Sequence, residues 1–235
     1  MTEKQKGIQD PGKRIQAVET YVVRAMEMFA CPDLRIAHGF QHVDRVRGWA
    51  LHIAREEGYP DLELVEASAL LHDVGLAAVT DRWDHGRVGA EMAARFLREQ
   101  ELFAEQDIVA IAEAIRSHNA PPGGGGLLGT ILREADTLDA LGAVGVMRAF
   151  ASRYDKPPYL GQQVKGETWG LAIADFEVRF TNGTGTGPAI VDQVNFQLSL
   201  HGNLQLTSSQ RAAAPLVAYM REFLAQLERQ VLANH

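Results

Sequence analysis

The sequence predicts an all-α fold, a helical bundle with a variable, loop-rich segment before its C-terminal helix. Apolar residues recur at spacings of three and four along most of the chain, which is the period of one face of a helix. Glycine, proline or asparagine closes several of these runs, and no internal repeat of useful period is visible. The 235 residues suffice for one domain with a sizeable core. We therefore predict a single domain over residues 1–235, with a core at 15–152, a variable segment at 153–206 and a last helix at 208–233.

Six helices are predicted in the core. Gly58-Tyr59-Pro60 stops the second helix, and Asp84 is placed to cap the fourth. The glycine run at 123–126 predicts a flexible loop between the fifth and sixth helices. The apolar runs that define these helices lie at residues 15–29, 43–54, 62–70, 88–97, 108–115 and 128–141.

The segment after residue 154 has a weaker pattern. It is rich in glycine and holds prolines at 157 and 158, which predicts a lid, a binding loop or partial disorder. Phe176, Val178 and Phe180 alternate, which permits either a short strand or the end of a helix. The last helix is clear, because Ser208 and Ser209 can cap an apolar periodic run.

Composition excludes several classes of partner. A net charge of -7 gives no bulk attraction to nucleic acid, so no nucleic-acid partner is expected. No run of about 18 apolar residues is present, so no membrane partner is expected either. One cysteine, Cys31, cannot form an internal disulfide, and residues 1–13 lack the apolar region of a signal peptide. These features predict a cytoplasmic protein, and they leave its oligomeric state open.

The pair His72-Asp73 is the first candidate for chemistry. It follows the small and apolar residues 67–71 at the predicted end of a helix. Adjacent helical residues point about 100° apart, so both can face one cavity only at a helix end or a junction. A partly buried aspartate needs a cation or several donors, and the imidazole beside it offers a second type of metal ligand.

Two further polar residues lie on apolar helical faces. His42 shares a stripe with Val46 and Ala50, and Asp136 follows Ala135 on the sixth helix. Each taken alone is compatible with a hydrogen-bonded structural residue. Together, two histidines and two aspartates on three predicted helices are most simply explained as ligands of one metal ion.

The sequences around these residues resemble the HD-domain superfamily of metal-dependent phosphohydrolases, in its small bacterial YedJ/YpgQ-like branch. Residues 38–46 read His-Gly-Phe-Gln-His-Val-Asp-Arg-Val, and residues 69–75 read Ala-Leu-Leu-His-Asp-Val-Gly. Residues 134–143 read Glu-Ala-Asp-Thr-Leu-Asp-Ala-Leu-Gly-Ala. The resemblance covers roughly residues 15–152 and implies a single HD domain.

By this resemblance, His42, His72, Asp73 and Asp136 hold one divalent metal, which could be Mn, Mg, Fe, Ni, Co or Zn. Asp73 would also help to position the metal-bound water. The implied activity is hydrolysis of a phosphoester or phosphoanhydride bond in a small phosphorylated substrate, with a nucleotide favoured. Four protein ligands would leave positions open for water and for a substrate oxygen.

Five residues are candidates for supporting roles. His38, Arg45, His85 and His118 are candidate substrate contacts, and His85 and His118 are alternatively ligands of a second metal. Asp139, one turn after Asp136, is a candidate for orienting a ligand or the metal-bound water. Each also has a purely structural reading as a capping or surface residue.

Two alternatives stay open, a di-iron oxygenase built on the same type of site and a non-catalytic, metal-stabilised regulatory module. The oxygenase would need His85 and His118 as extra iron ligands. The sequence also departs from many HD hydrolases, which carry lysine shortly after the His-Asp pair. Here Val74-Gly75-Leu76 follows instead, so that phosphate contact is absent.

Overall fold

The computed structural model describes residues 10–29, 37–80, 82–120 and 123–233. Cys31 and the prolines at 121 and 122 lie outside the described residues. The described chain consists of helices, turns and loops with no strand, so the all-α prediction is confirmed. The contacts between residues divide it into two compact units, Met1–Asp136 and Thr137–His235.

Within its described residues the first unit has six α-helices, and the last of them continues a few residues past the end of the unit. Short 3-10 turns at Val74–Ala77 and Arg82–Asp84 separate the third helix from the fourth. The helices are α1 (Pro11–Glu27), α2 (Phe40–Glu56), α3 (Leu62–Leu71), α4 (His85–Glu99), α5 (Glu105–Ser117) and α6 (Gly126–Asp139).

Helix α3 is the centre of the first unit. It packs against α1, α2 and α5, and seven of its ten residues are buried. Its start is set by Asp61, whose carboxylate accepts hydrogen bonds from the backbone N–H groups of Glu63 and Leu64. A short helix buried on most sides places whatever follows its last residue, Leu71, inside the core.

The turn after α3 is pressed against α4, backbone to backbone. A Cβ atom on Gly75 would lie 2.1 Å from the carbonyl oxygen of His85 and 2.6 Å from the backbone nitrogen of Gly89. Only a residue without a side chain fits there. The position where many HD hydrolases carry lysine is therefore a buried turn in this chain, with Val74 and Leu76 in the core.

Four helices form the second unit, and α7 packs against both α9 and α10. Residues 173–181 form a helix. Of the two alternatives that the sequence permitted at 176–180, the short strand is therefore wrong and the helix is correct. Phe176 and Phe180 are one helical turn apart, and both rings pack against Phe196 while Val178 points outward. The helices are α7 (Gly142–Ser152), α8 (Ile173–Thr181), α9 (Ile190–Ser199) and α10 (Thr207–Leu232).

The loop-rich segment of the second unit is organised around the buried carboxylate of Asp192. It accepts hydrogen bonds from the backbone N–H and the hydroxyl of Thr168, at 3.1 and 2.8 Å, and from the backbone N–H of Ala189 at 3.0 Å. Gly166 and Gly187 lie against this carboxylate with φ angles of 86° and 130°, and a Cβ on either would collide with it. Whether the segment acts as a lid stays a prediction. Within the described residues, no helix has both the length and the apolar character needed to cross a bilayer.

Candidate metal centre

Ends of helices in the first unit bring the four predicted metal ligands together. His42 lies in the first turn of α2, and His72 and Asp73 directly follow the last residue of α3. Asp136 lies near the end of α6. Asp73 has φ -100° and ψ 2°, outside the helical region, which turns its side chain towards that of His72. Both residues lie at a helix end, as expected, and their side chains are in contact.

The ligand atoms of these residues converge within hydrogen-bonding or ion-pair distances. The Nε2 atom of His42 lies 3.2 Å from Nε2 of His72, 3.4 Å from Oδ2 of Asp73 and 3.4 Å from Oδ1 of Asp136. The Nε2 atom of His72 lies 3.3 Å from Oδ2 of Asp73. His42, His72 and Asp73 are buried, whereas the Asp136 side chain is 36% exposed. The cluster therefore opens to solvent beside Asp136.

The end of helix α3 sets the orientation of the His72 ring. Its Nδ1 atom donates to the carbonyl oxygen of Ala69 at 2.8 Å, one of the carbonyls that a helix end leaves without an intrahelical partner. When the ring is neutral, its lone pair is therefore on Nε2, which faces His42 and the carboxylate of Asp73. Acceptor atoms this close need a proton or a cation between them, and their nitrogen and oxygen donors fit a divalent metal.

The same crowding of acceptors shifts the pKa values of the His-Asp pair. Burial alone would lower the pKa of His72, but the charges of Asp73 and Asp136 and the hydrogen bonds to Asp73 and Ala69 raise it to about 9. Burial alone would raise the pKa of Asp73, but the charges of His72 and His38 hold it well below its usual value. Without a metal, a proton on His72 balances the carboxylate.

His38, predicted as a substrate contact, lies against Asp73, one of the predicted metal ligands. Its Nδ1 atom donates to Oδ2 of Asp73 at 2.7 Å, and 26% of its side chain is exposed. This contact orients the carboxylate and leaves part of the ring at the surface of the site. A role in binding substrate stays a prediction.

His85 and His118 face the other oxygen of the same carboxylate. Their Nε2 atoms lie 2.9 Å from each other, and 3.4 Å and 3.9 Å, respectively, from Oδ1 of Asp73. Burial and the positive charges of His72 and His85 lower the pKa of His118 to about 3, so its ring is neutral at pH 7. The carboxylate of Asp73 thus lies between two groups of histidines.

Asn119 also belongs to this part of the site, although the sequence indicated only that it ends a helix. Its Nδ2 atom lies 3.2 Å from Nδ1 of His85 and 3.1 Å from the carbonyl oxygen of Trp83. A polar residue directly after a candidate site histidine is a weak signal. The approach of Trp83 and His85 to Asn119 is a tertiary contact with no periodic trace in the sequence.

The two remaining predicted residues are Arg45, on α2, and Asp139, at the end of α6. Arg45 is half-buried on α2, three residues after His42, and its predicted contact with phosphate stays a prediction. Asp139 lies in the second unit, where its buried carboxylate accepts a hydrogen bond from Arg148 at 2.9 Å. Its predicted role in orienting a ligand or the metal-bound water is not tested by this contact.

Comparison with known proteins finds a family match that lies mostly in the first unit. The HD domain family profile matches residues 39–141, a range that holds all four predicted ligands. YpgQ of Bacillus subtilis is 29% identical over 149 residues, which cover 59% of this chain and 65% of that protein. The match therefore spans just under two thirds of YpgQ.

Solved structures share the fold over most of the chain. A Lactobacillus plantarum protein is similar with a TM-score of 0.67 and 25% identity, over 94% of this chain and 98% of that one. The structure of Bacillus subtilis YpgQ in complex with ADP gives a TM-score of 0.64 and 21% identity, over 94% and 96%. An HD-superfamily hydrolase from Bacillus thuringiensis gives 0.65 and 21%, over 95% and 100%.

These similarities concern the fold and part of the sequence. Residues 39–141, less than half of the chain, match the HD domain family, and the chain shares the fold of an HD-superfamily hydrolase. The chain is also similar to YpgQ, as its three motifs predicted.

Proposed function

We propose that the chain is a metal-dependent phosphohydrolase that cleaves a phosphoester or phosphoanhydride bond with metal-activated water. One observation carries this proposal: the Nε2 atoms of His42 and His72 converge with the carboxylates of Asp73 and Asp136. A mixed set of nitrogen and oxygen donors suits Mn, Fe, Co, Ni, Zn or Mg and disfavours Ca.

The protein groups would have separate tasks. His42, His72, Asp73 and Asp136 would hold the metal, which when bound polarises phosphoryl oxygens and lowers the pKa of water. Asp73, fixed by hydrogen bonding to His38, would accept a hydrogen bond from the attacking water and so orient it. The exposed side of the cluster, beside Asp136, would admit the substrate.

A nucleotide is the proposed substrate. Support comes from YpgQ, whose crystal structure contains ADP and whose fold this chain shares. His38 and His85 lie beside the cluster and could donate hydrogen bonds to phosphate oxygens, whereas the one N–H of the neutral His118 ring is already bound to the carbonyl of Ile115.

The test is an assay of the purified protein against a panel of nucleotides, with separate detection of phosphate and pyrophosphate. Bound metal is measured on the same samples by mass spectrometry. We expect release that requires a divalent metal and falls by more than about a hundredfold in His72→Ala and Asp73→Ala. His52→Ala, which alters an exposed histidine on the same helix as His42, is the matched control and should keep full activity.

The competing functions predict different results. His85, His118 and Asp73 form a second group of donor atoms, as a di-iron oxygenase would need. Two irons per chain with a visible absorption band, and no phosphate release, would support the oxygenase. A protein that binds no metal and is inert on every substrate would contradict both enzymes and favour a regulatory module.

A further inference from the structure

The amide of Asn119 is oriented by a group that can only accept hydrogen bonds. Its Nδ2 atom lies 3.1 Å from the carbonyl oxygen of Trp83, so the NH₂ group of the amide faces that carbonyl. The same NH₂ group lies 3.2 Å from Nδ1 of His85. The Nδ1 atom of His85 must therefore accept this hydrogen bond, and its proton lies elsewhere.

The contact of the other ring nitrogen of His85, Nε2, also indicates that the proton is on Nε2 and not on Nδ1. His118 directly follows helix α5, and its Nδ1 atom donates to the carbonyl oxygen of Ile115 at 2.6 Å. With its proton on Nδ1, the ring of His118 carries its lone pair on Nε2, which lies 2.9 Å from Nε2 of His85. In the absence of a cation between them, a lone pair at that distance requires a proton on His85 Nε2.

The chain makes room for this arrangement at Gly86. A Cβ atom there would lie 2.3 Å from Oδ1 of Asn119, so any side chain would displace the amide. The donor to His85 thus depends on one asparagine, one carbonyl group and one glycine, none of which belongs to the group of four proposed metal ligands.

We propose that Asn119 is a positioning residue that, together with His118, holds His85 as the tautomer with its proton on Nε2. The single Nε2–H of His85 then lies between the lone pair of His118 and Oδ1 of Asp73, where a phosphoryl oxygen of a substrate would compete for it, and the ring offers no lone pair for a second metal. This inference rests on the proposed function for the identity of the substrate, whereas the tautomer does not depend on it. The second group of donors lacks one ligand, and the chain binds one metal tightly.

The first test is ¹⁵N NMR of the full chain labelled at histidine nitrogens and loaded with Zn²⁺, which is diamagnetic. His85→Gln assigns the His85 signals. We expect an unprotonated Nδ1 and a protonated Nε2 for His85, and the opposite pattern at Nδ1 for His118. A His85 ring that carries its proton on Nδ1, or that binds Zn²⁺ through Nε2, would overturn the proposal.

The second test reverses the tautomer. In Asn119→Asp a carboxylate replaces the amide and accepts a hydrogen bond from Nδ1–H of His85, which frees the Nε2 lone pair. We expect Co²⁺ titration to show one tight site in the wild type and a second site in Asn119→Asp. Asn182→Asp makes the same charge change at an exposed position and should keep one site.

The outcomes separate this inference from the proposed function. Two tight sites in the wild type, or an unchanged His85 tautomer in a folded Asn119→Asp, would contradict the role of Asn119. If Asn119→Asp does not fold, the NMR spectrum of the wild type still decides the tautomer. If the protein shows the expected tautomer and binds one metal but hydrolyses no nucleotide, the proposed substrate is contradicted and the role of Asn119 is not.

Discussion

A histidine that directly follows a helix meets carbonyl groups that have no partner within the helix. His72 and His118 each donate a hydrogen bond from Nδ1 to such a carbonyl, that of the residue three positions earlier. Both rings therefore present Nε2 to the centre of the site. Each helix end thereby selects the ring nitrogen that faces the centre of the site, as a carboxylate or a backbone carbonyl does for many metal-binding histidines.

The raised pKa of His72 leads to a prediction about metal binding. His72 is protonated at pH 7 in the metal-free protein because its pKa is about 9, and a metal ligand must be unprotonated. We expect one proton to be released per metal bound at pH 7. Metal affinity should rise about tenfold per pH unit and level off above about pH 9.

Calorimetry in buffers with different ionisation enthalpies measures this proton directly. His52→Gln, altered at an exposed histidine, should release the same proton. Metal affinity that does not change between pH 6 and 8 would show that His72 is not protonated in the metal-free protein, or is not a ligand.

Three of the proposed ligands, His42, His72 and Asp73, could be singled out because they lie on or directly after an apolar helical face, where a buried polar group requires a partner. Asp136 follows an apolar residue on its helix, but its side chain is 36% exposed. Asn119 was not predictable in this way. Its partners are the carbonyl of Trp83 and the ring of His85, more than thirty residues away, and nothing in the local pattern indicates that contact.

At the level of elements, the backbone of the turn after α3 is in direct contact with the backbone at the start of α4. Gly75→Ala would place a methyl group 2.1 Å from the carbonyl oxygen of His85. We expect a loss of about 1–3 kcal/mol in the free energy of unfolding, as for other overpacked sites, together with weaker metal binding because the turn carries Asp73. Urea denaturation and metal titration measure the two effects.

Gly48→Ala is the matched control for this substitution. Gly48 is exposed in the middle of α2, and a Cβ there would meet nothing within 4 Å. Alanine should stabilise the helix by roughly 0.5–1 kcal/mol. A Gly75→Ala variant as stable as this control would contradict the close contact.

Two aspartates begin helices of the second unit in the same way but in different surroundings. Asp192 and Asp175 each accept a hydrogen bond from the backbone N–H three residues earlier, of Ala189 and Ala172 respectively. Asp192 is buried and also binds Thr168, whereas Asp175 is exposed. We expect Asp192→Ala to lower the free energy of unfolding by roughly 2–5 kcal/mol, and Asp175→Ala by about 1 kcal/mol or less.

Limited proteolysis would locate the effect. Cleavage of Asp192→Ala should concentrate in the loops between residues 157 and 189, whose backbone the carboxylate holds. Similar stability and cleavage in both variants would mean that Asp192 is an ordinary helix cap. The sequence predicted only a loose, glycine-rich segment here, because a single buried carboxylate leaves no periodic signal.

The alternation at 176–180 shows why element type can be ambiguous. A residue and its neighbour four positions along lie on one face both in a strand and in a helix. Phe176 and Phe180 satisfy either geometry. Their packing on Phe196, from another element, accompanies the helical form, and the local sequence could not predict that contact.

At the scale of the whole molecule, all proposed metal ligands belong to the first unit, which ends at Asp136. Binding to the folded state stabilises a protein by about 2.7 kcal/mol when the free metal is a hundred times its Kd. We expect metal to slow amide hydrogen exchange most in peptides that cover residues 37–75, 85–90 and 115–136. Comparison of metal-loaded and metal-free protein by mass spectrometry tests this.

Peptides from the second unit provide the internal control for the exchange measurement. Helices α8 and α9 contain none of the proposed ligands and should change less than the ligand-bearing peptides. A change that is largest in α8 and α9 would place the metal at another site and would contradict the ligand assignment.

The contact between Gly75 and Gly89 has a use in recognising this type of site in other sequences. Histidine and aspartate pairs are common, and four scattered ligand letters match many chains by chance. The structure adds two further requirements on the sequence: a glycine two positions after the Asp73 equivalent, and another glycine four positions after the His85 equivalent. A search that demands both glycines would select chains able to bring those two segments into backbone contact, and would discard chains that merely carry the ligands.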